Sequence, residues 1–127
     1  MDKELKAKVL LVDDEEDFLA TLAERLEARG LKVNTVTSGE QAVEKAEQEG
    51  FDLIVLDLAM PGMDGLEALK RIKAKQPDAE IIILSGQGSI KTSIEAMKLG
   101  AGDFMEKPVN MSELLDKISN AKDKRLL

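Results

Sequence analysis

The sequence predicts an α/β protein in which a β-strand and an α-helix alternate five times around a parallel sheet. The first observation is a set of short apolar runs, such as Val9–Val12, Leu53–Leu56 and Ile81–Leu84. These runs are continuous rather than alternating, which is typical of strands that are buried on both faces. The second observation is that an amphipathic stretch follows each run. Right-handed crossovers then place the carboxyl ends of all the strands at one edge of the sheet.

The individual elements follow from this pattern in chain order. Strands are predicted at Val9–Val12, Leu31–Val36, Leu53–Leu56, Ile81–Leu84 and, for a short fifth strand, around Asp103–Met105. Apolar residues at helical spacing predict one face of each helix: Phe18, Leu19, Leu22 and Leu26; Ala42, Val43 and Ala46; Leu66, Leu69 and Ile72; Ile90, Ile94 and Met97; and Met111, Leu114, Leu115 and Ile118.

The helix ends are predicted by capping residues and glycines. Three pairs with capping-box spacing precede the second, third and fifth helices: Ser38 and Gln41, Asp64 and Glu67, and Asn110 and Glu113. Glycine ends a helix most easily because it adopts positive φ without a steric penalty. The first, second and fourth helices are therefore predicted to end at Gly30, Gly50 and Gly100.

A single domain is predicted because 127 residues are close to the usual length of one domain. We expect it to span residues 1–127, with a core at about 7–122 and a frayed tail at 123–127. The first residues lack the apolar segment of a signal peptide, and no apolar run is long enough to cross a membrane. We therefore expect a cytoplasmic protein without a membrane partner.

Composition excludes several classes of function. The chain has no Cys and no His, which rules out a thiolate metal site, a His-ligated zinc site and a Ser-His-Asp triad. Its net charge of −7 disfavours direct binding to nucleic acid or to an anionic membrane, since both need a clustered cationic surface.

Five residues with charged or reactive side chains stand at the predicted carboxyl ends of the strands. Asp13 and Asp14 follow the first strand, Asp57 the third, Ser85 the fourth and Lys107 the fifth. Most have an ordinary explanation on their own: Asp13 or Asp14 could be a helix N-cap, and Ser85 and Lys107 a turn hydroxyl and a solvated charge. Asp57 is harder to explain, because it follows four apolar residues while the next helix is predicted to start near Asp64. Because ligands of open α/β sheets bind at this edge, we favour one functional cluster over five coincidences.

Such a cluster is suited to metal-assisted phosphoryl transfer. Three clustered carboxylates repel one another and favour a bound cation, and Mg²⁺ is a hard ion that prefers oxygen ligands. Calcium is disfavoured because the acidic spacing of an EF-hand loop is absent. We assign the metal to Asp13 and Asp14, and predict Asp57 to be a nucleophile that forms an aspartyl phosphate. Lys107 and Ser85 would stabilise the phosphoryl oxygens.

These residues resemble those of a bacterial two-component response-regulator receiver domain. The resemblance spans roughly residues 7–122 without a gap. It implies the flavodoxin-like receiver fold, a doubly wound parallel sheet with strand order 2-1-3-4-5. The motifs that carry it are Asp13-Asp14, the run from Asp57 to Gly65, Ser85-Gly86 and Lys107-Pro108.

The resemblance implies how the phosphoryl group would be received. Asp57 matches the phosphoacceptor, which takes a phosphoryl group from the phosphohistidine of a sensor histidine kinase. Asp13, Asp14 and Asp57 match the carboxylates that hold Mg²⁺, and the backbone carbonyl of Ala59 matches a further protein ligand. The chain would then be a signalling domain that catalyses only its own phosphorylation and dephosphorylation, and not an enzyme acting on other substrates.

The resemblance also implies a conformational switch. Ser85 matches the hydroxyl that binds the phosphoryl group, Lys107 its counter-ion, and the Lys107–Pro108 peptide bond would be cis. Phe104 matches the switch aromatic of the fifth strand, although the residue pattern alone favours a core Phe at this position. The fourth helix, fifth strand and fifth helix match the usual output face. The exposed residues of the fourth helix on that face would be Lys91, Glu95 and Lys98.

The region from residue 83 to residue 108 is similar to receivers attached to transcription regulators. It departs from them at Gln87, Ser89 and Gly102, where those receivers often have His, Asp and Tyr. We further hypothesise that Ala59 and Gln87 flank the attacking water and tune the rate of autodephosphorylation, as a positioned Gln does in some GTPases. The effector or fused output domain is unknown, and a monomer or a phosphorylation-dependent dimer is expected.

Three alternatives remain open on the residues alone. A flavodoxin-like flavin carrier shares the sheet, but the chain has no Trp, no Tyr and no Gly-rich loop after the first strand. A Mg²⁺-dependent phosphatase with an Asp nucleophile would need a second acid two residues later, where Ala59 stands. A receiver that has lost its chemistry and only binds partners is disfavoured because all five chemical residues are present.

Overall fold

Five strands and five helices alternate along the chain. The computed structural model describes residues 7–58, 65–85 and 90–126, without the side chains of Ser85, Ile90 and residues 124–126. The strands are β1 (Lys8–Val12), β2 (Lys32–Val36), β3 (Leu53–Asp57), β4 (Ile81–Ser85) and β5 (Asp103–Glu106). The helices are α1 (Glu16–Glu27), α2 (Gly39–Gln48), α3 (Gly65–Lys75), α4 (Ile90–Lys98) and α5 (Met111–Leu126).

All five strands are parallel and form one sheet in the order β2-β1-β3-β4-β5. The order reverses between β1 and β3, because β1 pairs with β2 on one side and with β3 on the other. The predicted (βα)₅ fold class and its strand order are confirmed. In sheets of this kind, such a reversal opens a crevice at the carboxyl ends of the strands.

Apolar side chains cover both faces of the sheet, as the continuous apolar runs predict. On one face, alternate residues of β1 and β3 pack with α1 and α5, including Leu11, Leu26 and Ile118. On the other face, Leu10 and Leu56 pack against α2 and α3. Burying one such side chain contributes about 1.5–3 kcal/mol, so these layers fix β1 and β3 in the centre of the molecule.

Two of the three predicted caps lie among the described residues. The Ser38 hydroxyl accepts a hydrogen bond from Gln41 N at 3.2 Å, and Asn110 Oδ1 accepts one from Glu113 N at 2.9 Å. The reciprocal bond of the first box differs from the standard pattern, because Gln41 Oε1 accepts from Thr37 N at 2.9 Å instead of from Ser38. Asp64 lies outside the described residues.

Two of the three predicted terminating glycines have positive φ. Gly30 and Gly100 follow α1 and α4 with φ of +90° and +115°, a conformation that other residues rarely adopt. Gly50 does not share it among the described residues, because α2 has already ended at the extended Glu49.

The predicted apolar face of α4 is wrong in part. Ile94 and Met97 are 52% and 41% exposed, whereas Ser93 and Ala96 are buried against the sheet. Small residues at these two positions let the helix lie close to β4, and the larger side chains then point away from the core. The side chain of Ile90, the third member of the predicted face, lies outside the described residues.

Gly65, the first residue of α3, lies directly against the end of β3. A Cβ atom at this position would lie 2.5 Å from Asp57 O and 2.5 Å from Leu58 Cα. The backbone N–H of Gly65 donates to Leu58 O at 3.1 Å. The absence of a side chain therefore lets α3 begin beside the residue that ends β3.

We expect Gly65→Ala to destabilise the protein by about 1–3 kcal/mol, because the added methyl meets backbone atoms that cannot move aside alone. Urea unfolding followed by circular dichroism would measure this change. Gly102→Ala is the matched control, since its Cβ would meet the end of the flexible Glu80 side chain. Equal stability losses in the two variants would contradict the role assigned to Gly65.

Candidate functional site

The central strands bring two carboxylates together at the carboxyl edge of the sheet. Asp57 is the last residue of β3, and Asp13 directly follows β1. Val12 and Leu56 are register partners, so the next residues along the two strands are neighbours. The N–H of Asp13 donates to Val36 O at 3.3 Å, which extends the pairing of β1 with β2 to this position. Strand pairing thus fixes where both carboxylates lie.

Three carboxylates form a tight cluster at this edge. One oxygen each of Asp13, Asp14 and Asp57 lie within 4.8 Å of one another. Asp13 and Asp57 are only 1% and 4% exposed, whereas Asp14 is exposed. Like charges at this separation disfavour one another unless a cation compensates them. The cluster is therefore a site for positive charge.

Lys107, from the segment after β5, supplies one such charge. Its Nζ atom lies 2.7 Å from Asp13 Oδ2, 2.8 Å from Glu15 Oε1 and 3.9 Å from Asp57 Oδ2. Partial burial acts to lower the pKa of Lys107, but hydrogen bonds to Asp13 and Glu15, together with the charge of Asp57, raise it to about 12. The ammonium is therefore protonated throughout the physiological pH range.

Two residues of this site are not predicted from the sequence. Glu15 contacts the Lys107 ammonium, and the Phe18 ring centroid lies 4.6 Å from Lys107 Nζ, within the range of a cation–π contact. The spacing of Phe18 indicates only that it belongs to the apolar face of α1. Glu15 and Lys107 are separated by 92 residues, so no local pattern indicates their contact.

The two Asp residues after β1 do not cap α1. The N-cap residue is Glu15, whose side chain makes no capping hydrogen bond. Asp13 Oδ1 accepts a hydrogen bond from Glu15 N at 2.9 Å, which fixes the orientation of the Asp13 carboxylate. The ordinary N-cap explanation for this Asp pair is therefore not supported.

The donor set fits a hard divalent cation. Asp13 Oδ2 is buried and lies 2.7 Å from Lys107 Nζ, but the same ammonium also faces Glu15 and Asp57. One positive charge cannot balance several carboxylates, so the cluster favours a further cation. Asp13, the exposed Asp14 and Asp57 together present the oxygen ligands that Mg²⁺ prefers.

The other predicted site residues are placed to different extents. Ser85 ends β4 as the register partner of Glu106, but its side chain lies outside the described part of the chain. Ala59 and Gln87 also lie outside it. The Lys107–Pro108 peptide bond is cis, the geometry that the resemblance implies.

Phe104 on β5 is 44% exposed. The expectation of a core Phe is therefore wrong, because the Phe104 side chain lies on an edge strand and remains partly exposed at the surface. On α4, the charged side chains expected at the output face are all exposed: Lys91, Glu95 and Lys98. Ile94, Met97 and Phe104 thus add exposed apolar surface to α4 and β5.

The fold and this acidic edge define a class of α/β proteins that have a charged site where the strand order of the sheet reverses. Comparison with known proteins identifies the family: the model of the response regulator receiver domain matches residues 9–119. The chain belongs to this family, whose members accept phosphoryl groups in two-component signal transduction. Members typically use Mg²⁺ at an acidic pocket, and this chain has a cluster of three Asp carboxylates.

Solved receiver domains share the fold over nearly their whole length. A response regulator receiver domain protein from Clostridium thermocellum matches with a TM-score of 0.86 and 33% identity, over 94% of this chain and 96% of that chain. The receiver domain of the Francisella response regulator 1452 matches with a TM-score of 0.86 and 28% identity, over 94% of this chain and 98% of the other.

The curated relatives are longer than this chain. The alkaline phosphatase synthesis transcriptional regulatory protein PhoP of Bacillus subtilis is 37% identical over 97% of this chain and 49% of its own length. The transcriptional regulatory protein ZraR of Klebsiella oxytoca is 36% identical over 89% of this chain and 26% of its own length. The chain thus spans from about a quarter to half of these two relatives.

Across the described residues, no helix combines the length and the apolar character needed to cross a membrane.

We expect Lys107→Met to lower the free energy of unfolding by about 2–4 kcal/mol in the absence of metal, because two buried carboxylates lose their shared cation. Lys117→Met is the matched control. Lys117 has the same 17% side-chain exposure, but its partners Asp103 and Glu113 are about half exposed. That variant should cost less than about 1 kcal/mol.

Urea unfolding followed by circular dichroism would measure both variants under the same buffer conditions. A similar loss in the two lysine variants would show that the buried carboxylates do not depend on Lys107.

Proposed function

We propose that this chain is a phosphoacceptor receiver in which Asp57 takes the phosphoryl group. The single observation that carries the proposal is the placement of Asp57. Its carboxylate ends a fully buried strand, lies within 4.8 Å of the Asp13 and Asp14 oxygens, and faces Lys107 Nζ at 3.9 Å. A nucleophile between a metal site and a cation matches what phosphoryl transfer needs.

In the proposed reaction, a carboxylate oxygen of Asp57 attacks the phosphorus of a phosphohistidine on a sensor histidine kinase. A phosphorus–oxygen bond forms as the phosphorus–nitrogen bond breaks, and its electron pair returns to the imidazole. The product is an acyl phosphate, which water later hydrolyses to restore the carboxylate and release inorganic phosphate. The domain turns over no other substrate, so we place it among signalling domains and not among enzymes.

Three carboxylates of this chain would hold Mg²⁺, namely those of Asp13, Asp14 and Asp57, with the backbone carbonyl of Ala59 as a further ligand. The ion would neutralise charge on the phosphoryl oxygens. Asp13 is already oriented for this task by the N–H of Glu15. Lys107 would act as the counter-ion of the phosphoryl group, because it is a permanent cation next to Asp57.

The conformational output would come from Ser85 and Phe104. In this proposal the Ser85 hydroxyl binds the phosphoryl group, and Phe104 changes position with it. The exposed side chain of Phe104 on β5 supports such a change, since no core packing would have to break. The face formed by α4, β5 and α5 would then be read by an effector or by a fused output domain, as a population shift between two states.

The cellular setting of this proposal is the bacterial cytoplasm. Relatives such as the transcriptional regulatory proteins PhoP and ZraR support a role in a transcription regulator, in which another domain binds DNA. The net charge of −7 is unfavourable for direct nucleic-acid binding by this domain. Phosphorylation would leave it a monomer or promote a dimer through the output face.

Incubation with Mg²⁺ and a small acyl-phosphate donor should add one phosphoryl group to the protein, as measured by intact mass. Asp57→Asn should abolish the gain because an amide is not a nucleophile of this kind. Asp78→Asn is the control, since Asp78 lies between α3 and β4, before the amino end of the β4 strand. Chelation of Mg²⁺ should also abolish the gain.

Hydroxylamine separates an acyl phosphate from a phosphate ester, because it cleaves only the former. A phosphoryl gain that survives in Asp57→Asn, or that resists hydroxylamine, would reject Asp57 as the acceptor. A chain that takes no phosphoryl group from the small donor should then be tested with phosphorylated histidine kinases. Failure with both kinds of donor would favour a module that only binds partners.

We further propose that Ala59 and Gln87 tune the lifetime of the phosphoryl group. Gln87→Ala should lengthen the half-life because a side chain that orients the attacking water is lost. Ala59→Asn should shorten it, because an amide could hold that water. The half-life is measured by intact mass after removal of the donor. We would abandon this assignment if both variants kept the wild-type half-life.

A further inference from the structure

Glu15 has an unusual position at the start of α1. N-cap residues normally turn their side chains back to accept a hydrogen bond from the first turn of the helix. Glu15 makes no such bond, and its carboxylate instead reaches Lys107 Nζ at 2.8 Å. The Glu15 side chain is 64% exposed, so it lies at the outer rim of the acidic site.

The Lys107 ammonium can donate three hydrogen bonds, but the carboxylates around it lie at unequal distances. Asp13 and Glu15 lie within hydrogen-bond distance of Nζ, while Asp57 at 3.9 Å lies beyond it. The Phe18 ring lies against the same ammonium. The contact with Glu15 therefore keeps the Lys107 ammonium near the rim of the site, away from Asp57, which would carry the phosphoryl group.

We propose that Glu15 is a positioning residue that competes with a phosphoryl group on Asp57 for Lys107. This inference rests on the proposed function, because it takes Asp57 as the acceptor. When an anionic group arrives on Asp57, Lys107 gains a new partner and its contact with Glu15 becomes a competing one. The negative charge of Glu15 also opposes the incoming anion directly.

The same charge acts in the opposite direction on a cation. Glu15 adds a fourth carboxylate near Asp13, Asp14 and Asp57 and offsets the charge of Lys107. It should therefore favour Mg²⁺ while disfavouring the phosphoryl group. This pair of opposite effects is specific to the proposed role, because a purely structural defect would weaken the binding of both ions.

Beryllofluoride, a tetrahedral mimic of a phosphoryl group on a carboxylate, tests the proposal in the full chain. Its affinity at saturating Mg²⁺ is measured by ¹⁹F NMR, and Mg²⁺ alone is titrated by ¹⁵N NMR. Glu15→Gln should bind beryllofluoride about two- to fivefold more tightly and Mg²⁺ more weakly by a similar factor, as expected for a largely exposed ion pair. Glu15→Asp keeps the charge but shortens the reach, so it should tighten beryllofluoride binding without weakening Mg²⁺ binding.

Glu16→Gln is the matched control, since it removes the same charge from an exposed neighbour in the first turn of α1. If Glu15→Gln and Glu16→Gln changed the affinities for beryllofluoride and Mg²⁺ equally, the role of Glu15 would be overturned. The proposed function would remain intact. A Glu15→Gln variant that bound both ligands more weakly would overturn that role as well. A wild-type chain that binds Mg²⁺ but no beryllofluoride would instead overturn the proposed function, and the role of Glu15 with it.

Discussion

The shared contact of one ammonium with two buried carboxylates is the constraint on which the arrangement of this molecule depends. Asp57 ends β3 and Asp13 directly follows β1, and both carboxylates are almost completely buried. A buried charge of this kind is tolerated only with a compensating partner. Lys107 comes from beyond β5, two strands away from β3, and its long side chain reaches across the edge of the sheet. The contact thus couples the segment after β5 to the centre of the sheet.

The apolar layers explain why the carboxylates stay in place while other parts of the edge can respond. β1 and β3 are held on both faces by large aliphatic side chains, so their ends are rigid supports for the site. Among the described side chains of α4, the buried ones are the small Ser93 and Ala96. A helix that buries little apolar area loses little free energy when it moves. The apolar packing therefore fixes the strand ends that carry the acidic residues. The surface around α4 and Phe104 can rearrange at a lower cost in free energy.

Much of the fold and part of the site could be predicted from the sequence because both follow from local patterns. Continuous apolar runs indicate the strands, and the topology rules alone place Asp13, Asp57 and Lys107 at one edge of the sheet. The pattern was wrong for Ile94, Met97 and Phe104, because periodicity shows which residues share a face but not how much of that face is covered. The contacts of Lys107 with Glu15 and Phe18 have no local pattern, since they depend on how the chain segment after β5 returns to α1.

The charge arrangement also explains why a site of this kind is costly for the fold that carries it. Three carboxylates within 4.8 Å oppose folding through mutual repulsion, and one ammonium cannot neutralise all of them. Apolar residues at the ends of β1 and β3 would give a more stable sheet without the chemistry. A cation that binds only the folded state stabilises the domain by mass action. This stabilisation grows with the logarithm of the ratio of cation concentration to dissociation constant. The repulsion between the carboxylates therefore has two effects: it destabilises the ion-free domain, and it favours the binding of a divalent ion next to Asp57, the residue predicted to react.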